Sequence, residues 1–380
     1  MDSNAIKNLI EKEFYDFHRQ PELSFEEFLT TARLKKLLTA ADIEILDLPL
    51  KTGLVAKIGS GEPVIALRAD IDALPIEEMT DLPYKSTVKG KMHACGHDFH
   101  LTAVLGAALM LKEQEDKLNG TVKIIFQPAE EAPGGAKVII DTGVMSDVKA
   151  VFGLHTLPVL EVGTLAIKEG AVTGSVDRFN IIFKGKGTHA AHPQRGIDPI
   201  PLMAAFIEGA QTIVSRNIYP FDAALVSITH VEAGSTWNII PETALVEGTT
   251  RSLTADNRQL IKKRIYELAQ NLAVAYGATA DIDWYAGPPA TNNDSKWCEI
   301  AKKAAVDSGF TLKPPANSLA GEDFAYYQEN IPGCFVLVGT GISASNHNPK
   351  FKVDVKALYP TAKYLANLAS AALNNVNFGR

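Results

Sequence analysis

Val64-Ile-Ala-Leu-Arg-Ala-Asp-Ile-Asp72 is the stretch on which the fold turns. Its first four residues are apolar without alternation, as expected of a short strand buried on both faces of a sheet, and two carboxylates follow its end. Working outward, Leu54-Val-Ala-Lys-Ile58 precedes it, and Val122-Lys-Ile-Ile-Phe126 and Ala150-Val-Phe-Gly-Leu154 follow, with helical segments at 99–115 and near 134–142. Short apolar strands alternating with helices predict a central α/β sheet covered on both faces. Such sheets hold ligands beyond the carboxyl ends of their strands. Upstream, Ile6, Ile10, Phe14 and Phe17 sit near helical spacing, so a helix is expected over 3–18, stopped by Pro21. Ser24 with Glu27 three residues on reads as a capping box that opens a second helix.

The texture changes near residue 177. Arg178-Phe-Asn-Ile-Ile-Phe183 alternates, a helix is expected over 198–215, and Ala224–His230 and Thr243–Thr249 read as strands. A helix over 254–276 and a strand near 278–285 complete the order β-α-β-β-α-β, the split-βαβ pattern of a compact two-layer α+β unit. After Gly287-Pro-Pro289 the α/β texture resumes with a helix over 294–308, a strand over 334–338 and a closing helix from about 355. The expectation is a discontinuous first domain, 1–176 and 288–380, with a second domain, 177–287, inserted into it.

Composition narrows the function classes. The chain has 380 residues, enough for two domains, with 46% hydrophobic and 21% charged residues. Its net charge of −7 argues against non-specific nucleic-acid binding, which needs clustered Lys and Arg. Leu101–Leu111 is too short an apolar run to span a bilayer, so no membrane partner is expected. The opening residues lack a cationic segment followed by an apolar one. Three scattered cysteines, Cys95, Cys298 and Cys334, suit a reducing compartment, and a cytoplasmic location is expected. There is no phosphate-binding loop and no Gly-x-Ser-x-Gly elbow, and Gly185-Lys-Gly187 lacks the helix that a dinucleotide loop requires.

Metal-ligand residue types recur where strands end. They are Asp70 and Asp72, the run His93-Ala-Cys-Gly-His-Asp-Phe-His100, Glu130-Glu131, His155 and His347. Singly, each has an ordinary structural explanation; together they converge on one cleft. Thiolate and imidazole with carboxylate suit Zn²⁺ or a similar transition metal rather than Mg²⁺ or Ca²⁺. One catalytic metal needs about three protein ligands, so five candidates point to two metals sharing a bridge. Past the strand end, after Pro128, the backbone can curl so that both glutamates face inward. One then ligates while the other accepts a proton from water.

Arg68-Ala-Asp-Ile-Asp-Ala-Leu-Pro75, Met92-His-Ala-Cys-Gly-His-Asp98, Phe126-Gln-Pro-Ala-Glu-Glu131 and Gly153-Leu-His155 resemble the aminoacylase/carboxypeptidase-type binuclear metallohydrolases. The likeness is to the amidohydrolase branch, which holds hippurate hydrolase, auxin-conjugate amidohydrolases and N-acetyldiaminopimelate deacetylases. Gly185-Lys-Gly-Thr-His-Ala-Ala-His-Pro193, Asn238-Ile-Ile-Pro241, Gly248-Thr-Thr-Arg251 and Gly321-Glu-Asp-Phe324 extend it along nearly the whole chain. The resemblance implies a zinc-peptidase-like catalytic domain with a central mixed sheet, and an inserted ferredoxin-like lid and dimerisation domain. It implies Cys95, His97, Glu131, His155 and His347 as ligands of two divalent transition-metal ions per subunit (Zn, Mn, Co or Ni), with Cys95 where relatives have a bridging aspartate. Glu130 is the implied general base, with Glu131 as the alternative, and Asp70 and Asp72 fall where relatives have a catalytic aspartate. His189 would polarise the scissile carbonyl of a neighbouring subunit's substrate, which implies a homodimer, and Asn238, Arg251 and Gly321 would bind substrate. Thr188 departs from the glycine that many relatives carry there.

The implied reaction is hydrolysis of an N-acyl amino acid to a carboxylic acid and a free amino acid, with N-acetyl-diaminopimelate as one candidate substrate. The alternatives are a metallo-dipeptidase or carboxypeptidase acting on short peptides, a cysteine hydrolase using Cys95, and a binding module that keeps only the fold.

Overall fold

The computed structural model describes residues 2–316 and 318–376. The chain divides into two compact units, one of residues 1–170, 292–316 and 323–380, the other of 171–291 and 317–322.

The first unit is built on an eight-stranded mixed sheet. In spatial order its strands are Glu44–Ile45, Leu54–Gly59, Thr121–Gln127, Val64–Asp70, Val148–Leu157, Gly333–Gly339, Thr164–Ala166 and Thr311–Lys313. The four central strands, from Thr121–Gln127 to Gly333–Gly339, run parallel, and Leu54–Gly59 lies antiparallel beside them. Every residue of Val64–Asp70 and of Thr121–Gln127 is buried, the polar Arg68, Asp70, Lys123 and Gln127 along with their apolar runs. The helix His97–Lys112 is buried at all but two of its positions and packs with the helices Ser3–Arg19 and Leu358–Asn375. Parallel strands put their carboxyl ends on one edge, and pairing sets the level: Asp70 stands opposite Gln127, and Arg68 opposite Gly153 two residues before His155.

The second unit carries a four-stranded antiparallel sheet in the order Ala224–Ala233, Thr243–Ser252, Ser175–Lys184, Thr279–Ala286. Its helices, Pro199–Asn217 and Ala255–Ala275, share a core with Phe179, Ile181 and Phe183, the alternate residues of the central strand. This is the ferredoxin-like arrangement. No helix among the described residues is long and apolar enough to cross a membrane.

Two local expectations need correction. The second helix begins at Phe28, and Ser24 and Glu27 form no capping box. Ser24 instead donates its hydroxyl to Asp72 Oδ2 at 2.6 Å, while Glu27, fully buried, accepts from Ala129 N–H and the Thr52 hydroxyl. A buried carboxylate must find donors, and these outcompete a helix end. The other correction concerns strand ends: the strands run on to Asp70 and to Leu157, so Asp70 and His155 lie within strands rather than beyond them.

Candidate metal centre

The centre assembles at the carboxyl edge of the parallel strands. Gly96, at φ +91°, turns the preceding loop into the helix that starts at His97, and a Cβ there would meet Thr156 Cγ2 at 2.8 Å. Cys95 and His97 thus flank a position that only glycine fills. Past Gln127 the chain takes the left-handed region at Ala129, φ +53°, and this bend sends both Glu130 and Glu131 toward His97.

Cys95, His97 and His155 bring one potential ligand atom each to within 4.8 Å of one another, and so do Cys95, Glu131 and His347. Cys95 belongs to both sets. Its thiol lies 3.3 Å from His155 Nε2, and His347 Nε2 lies 3.0 Å from Glu131 Oε1. Glu130 joins His97 and Glu131 in a third set, beside both.

Hydrogen bonds fix which imidazole atoms face the cluster. His97 Nδ1 sits 3.1 Å from Asp72 Oδ1, and His155 Nδ1 sits 2.8 Å from the Thr156 carbonyl. Both partners only accept, so Nδ1 carries a proton and Nε2 is the atom turned toward the cluster. His97 Nε2 is buried without a hydrogen-bond partner among the described residues, and the buried Glu131 Oε1 faces the His347 imidazole at 3.0 Å. An orphaned buried nitrogen is costly, and a cation beside it relieves that cost.

Asp72 is the organiser of this edge. Besides Ser24 and His97 it accepts from the backbone N–H groups of Glu130 and Glu131, at 3.1 and 3.0 Å. Burial opposes its charge, yet the bonds from His97 and Ser24 hold its pKa below the ordinary value. Asp70 is also fully buried and is held well below the usual carboxylate range, against burial, by His97, His100 and Arg68. It touches His100 Nδ1 at 2.6 Å and Arg68 Nη1 at 2.7 Å, whereas His97 Nε2 is 3.8 Å away. Burial keeps the Cys95 thiol's pKa raised.

The remaining histidines of the 93–100 run are not ligands. His100 gives Nδ1 to Asp70 and accepts Thr156 N–H at Nε2, at 2.9 Å, so both nitrogens are used. Burial lowers it to about 4, which leaves it neutral. His93 belongs to none of the ligand sets; its ring nitrogens have no hydrogen-bond partner among the described residues, and burial lowers it to about 4.

Sequence reasoning missed the brace beneath Asp70. Arg68, fully buried, joins Asp70 to Asp323 (Nη2 to Oδ1, 2.6 Å) and donates to Gln127, while Asp323 also accepts from Ala136 N–H. The only available signal was an arginine inside an apolar strand, which demands buried carboxylates somewhere.

In the second unit the four expected substrate residues form two pairs. Thr188–His189 pairs with Ile239–Ile240, and Asn238 O accepts Ala190 N–H at 3.0 Å, so His189 and Asn238 share an exposed ladder. Gly321 lies against Arg251: a Cβ there would come within 3.5 Å of Nη1 and collide with Val176 Cγ2 at 2.4 Å. The Arg251 guanidinium has no ion-pair partner among the described residues, and burial lowers its pKa.

The sequence matches the family described as Peptidase family M20/M25/M40 over residues 66–371. The chain belongs to the M20/M25/M40 family. Within this M20 group it is 46% identical over 364 residues to an N-acetylcysteine deacetylase of Bacillus subtilis, covering 95% of this chain and 96% of the relative. An Arabidopsis thaliana IAA-amino acid hydrolase, ILR1-like 5, is 38% identical over 94% of this chain and 85% of its own. Among solved structures, the YXEP protein of Bacillus subtilis, described as a dinuclear metal-binding peptidase of the M20 family, superposes with a TM-score of 0.89 at 43% identity. The match covers 98% of this chain and 99% of that one.

Proposed function

We propose that this chain is a metal-dependent amidohydrolase that cleaves the amide bond of N-acyl amino acids. The observation that carries the reading is the pair of three-residue sets that share Cys95. The donor set of thiol, imidazole and carboxylate suits Zn²⁺, Mn²⁺, Co²⁺ or Ni²⁺, and the orphaned His97 Nε2, 4.0 Å from the Glu131 carboxylate, fits a cation. Cys95, His97 and His155 would hold one ion, and Cys95, Glu131 and His347 the other. Bound there, the ions would polarise the substrate carbonyl and make water acidic enough to attack at neutral pH. A dinuclear relative and amidohydrolase relatives support the reading.

The protein's own groups do the rest. Glu130 accepts the attacking water's proton and delivers it to the leaving nitrogen as the C–N bond breaks. Asp72 keeps His97 in its ligating tautomer, and Asp70, braced by Arg68, supplies fixed negative charge beside His97. Arg251 offers a guanidinium fork to the free carboxylate of the amino-acid product half, beside Gly321, with Asn238 as a further polar contact. His189 donates to the developing oxyanion from the second subunit of a homodimer. Dimerisation is supported by the open edge of Ala224–Ala233 and by apolar exposure nearby, with Trp237 91% and Ile239 53% exposed. Three free, buried cysteines fit a reducing, cytoplasmic setting.

The test is free-amine release from N-acetyl, N-benzoyl and longer N-acyl amino acids, with dipeptides alongside. Metal-dependent cleavage of acyl amino acids is the expected result. Cleavage of dipeptides alone moves the enzyme to the peptidases, and activity that survives chelation but not alkylation moves it to Cys95 chemistry.

A further inference from the structure

The loop between the first two helices ends on Glu27, a carboxylate with 0% exposure that is no part of the metal-ligand sets. Its oxygens are committed elsewhere. Oε1 accepts Ala129 N–H at 2.8 Å and Oε2 accepts the Thr52 hydroxyl at 2.7 Å. Ala129 is itself fully buried and holds φ +53°, a conformation that its Cβ resists. The bend matters because Glu130 and Glu131 follow at once.

The same loop reaches the turn by a second route, since Ser24 donates to Asp72, which accepts the N–H groups of both glutamates. Three of the four non-glycine residues at positive φ among the described residues are Phe25, Ala129 and His347, which lie in this loop, in the glutamate turn and in the ligand set itself. Strained backbone persists where the surroundings over-determine it, and here the surroundings are hydrogen bonds that converge on one turn. We infer that Glu27 is a positioning residue: by holding Ala129 in the left-handed region it aims Glu131 into the site shared with Cys95 and His347, and Glu130 at the reacting amide. The inference rests on the metal-centre reading above.

A role in geometry and a role in charge separate cleanly by substitution. In E27Q the amide oxygen still accepts Ala129 N–H, and its nitrogen donates to the Thr52 hydroxyl. E27D keeps the charge but is one methylene too short to reach both partners. Metal-stripped wild type, E27Q, E27D and E27A would be titrated with Co²⁺, following visible absorption for each ion, with circular dichroism as the check on folding. Steady-state kcat and KM of the loaded proteins complete the set.

Wild type and E27Q should bind two ions with matching affinities. E27D and E27A should bind one ion normally and the other about 10–100-fold more weakly, as lost outer hydrogen bonds to ligands do. Turnover of the loaded proteins should fall in these two variants with KM little changed, and match wild type in E27Q. If E27A fails to fold, E27D decides. Two normally bound ions and a wild-type kcat in folded E27D would overturn the inference, as would loss of an ion in E27Q with retention in E27D. Failure of wild type to bind two ions would instead sink the metal-centre reading, and this inference with it.

Discussion

Asp72 accepts four hydrogen bonds and orients everything around it: the Ser24 hydroxyl, His97 Nδ1 and the N–H groups of Glu130 and Glu131. In D72N one oxygen becomes a donor facing donors, so metal affinity should fall about 10–100-fold, read by competition with a chelator. E130Q makes the complementary prediction. The amide keeps the shape of the carboxylate but cannot take a proton, so kcat should drop by about 10²–10⁴-fold while both ions stay bound. Near-normal turnover in E130Q would transfer the base role to another group. At this scale the sequence was most readable where ligand types crowd together, as at Cys95, His97 and Glu130-Glu131. It was least readable where one residue serves a distant partner. Nothing local distinguishes Asp323, 255 residues from Arg68, from a surface aspartate. Ser24 and Glu27 even carry a misleading local pattern, because burial sent both side chains to the metal edge instead of the helix end.

Among the elements, the helix Ser3–Arg19 is fastened to the helix of the metal centre through one imidazole. His18 is buried between Asp98, 2.6 Å from Nδ1, and Glu78, 3.3 Å from Nε2. Burial alone would lower its pKa, but the two carboxylates outweigh it and raise the value to about 9. A folded value above the unfolded 6.5 means that the protonated ring stabilises the fold fully below pH 6.5, and that this contribution fades as pH rises through 9. Its size is on the order of 3 kcal/mol. The stability of wild type over H18Q, from urea unfolding, should therefore narrow between pH 6.5 and pH 9; a constant gap would mean that His18 is neutral throughout. Strand and helix order were legible because buried parallel strands leave unbroken apolar runs. Their ends were not, since Asp70 and His155 continue the ladders with side chains that read as loop residues.

For the whole molecule, the change from unbroken to alternating strands is the sequence feature from which an inserted domain is expected. The structure sets the inserted unit's main segment at 171–291 and adds 317–322, a short return that contains Gly321 beside Arg251. No periodicity marks so brief a crossing. If Arg251 grips the substrate carboxylate, R251A should raise KM about 10–100-fold for N-acetyl amino acids, the worth of one or two charged hydrogen bonds. The corresponding carboxamides should be unaffected, and an equal rise for both would place the arginine elsewhere.

The central claim is that one thiol, Cys95, is common to two metal sites that act together. Its most direct test is a titration of metal-stripped protein with Zn²⁺ or Co²⁺, measuring ions bound per chain and amine release from an N-acetyl amino acid in the same samples. The account predicts two ions per chain, full activity only as the second binds, and loss of both ions in C95A. Full activity at one ion per chain, or two ions still bound in C95A, would contradict it.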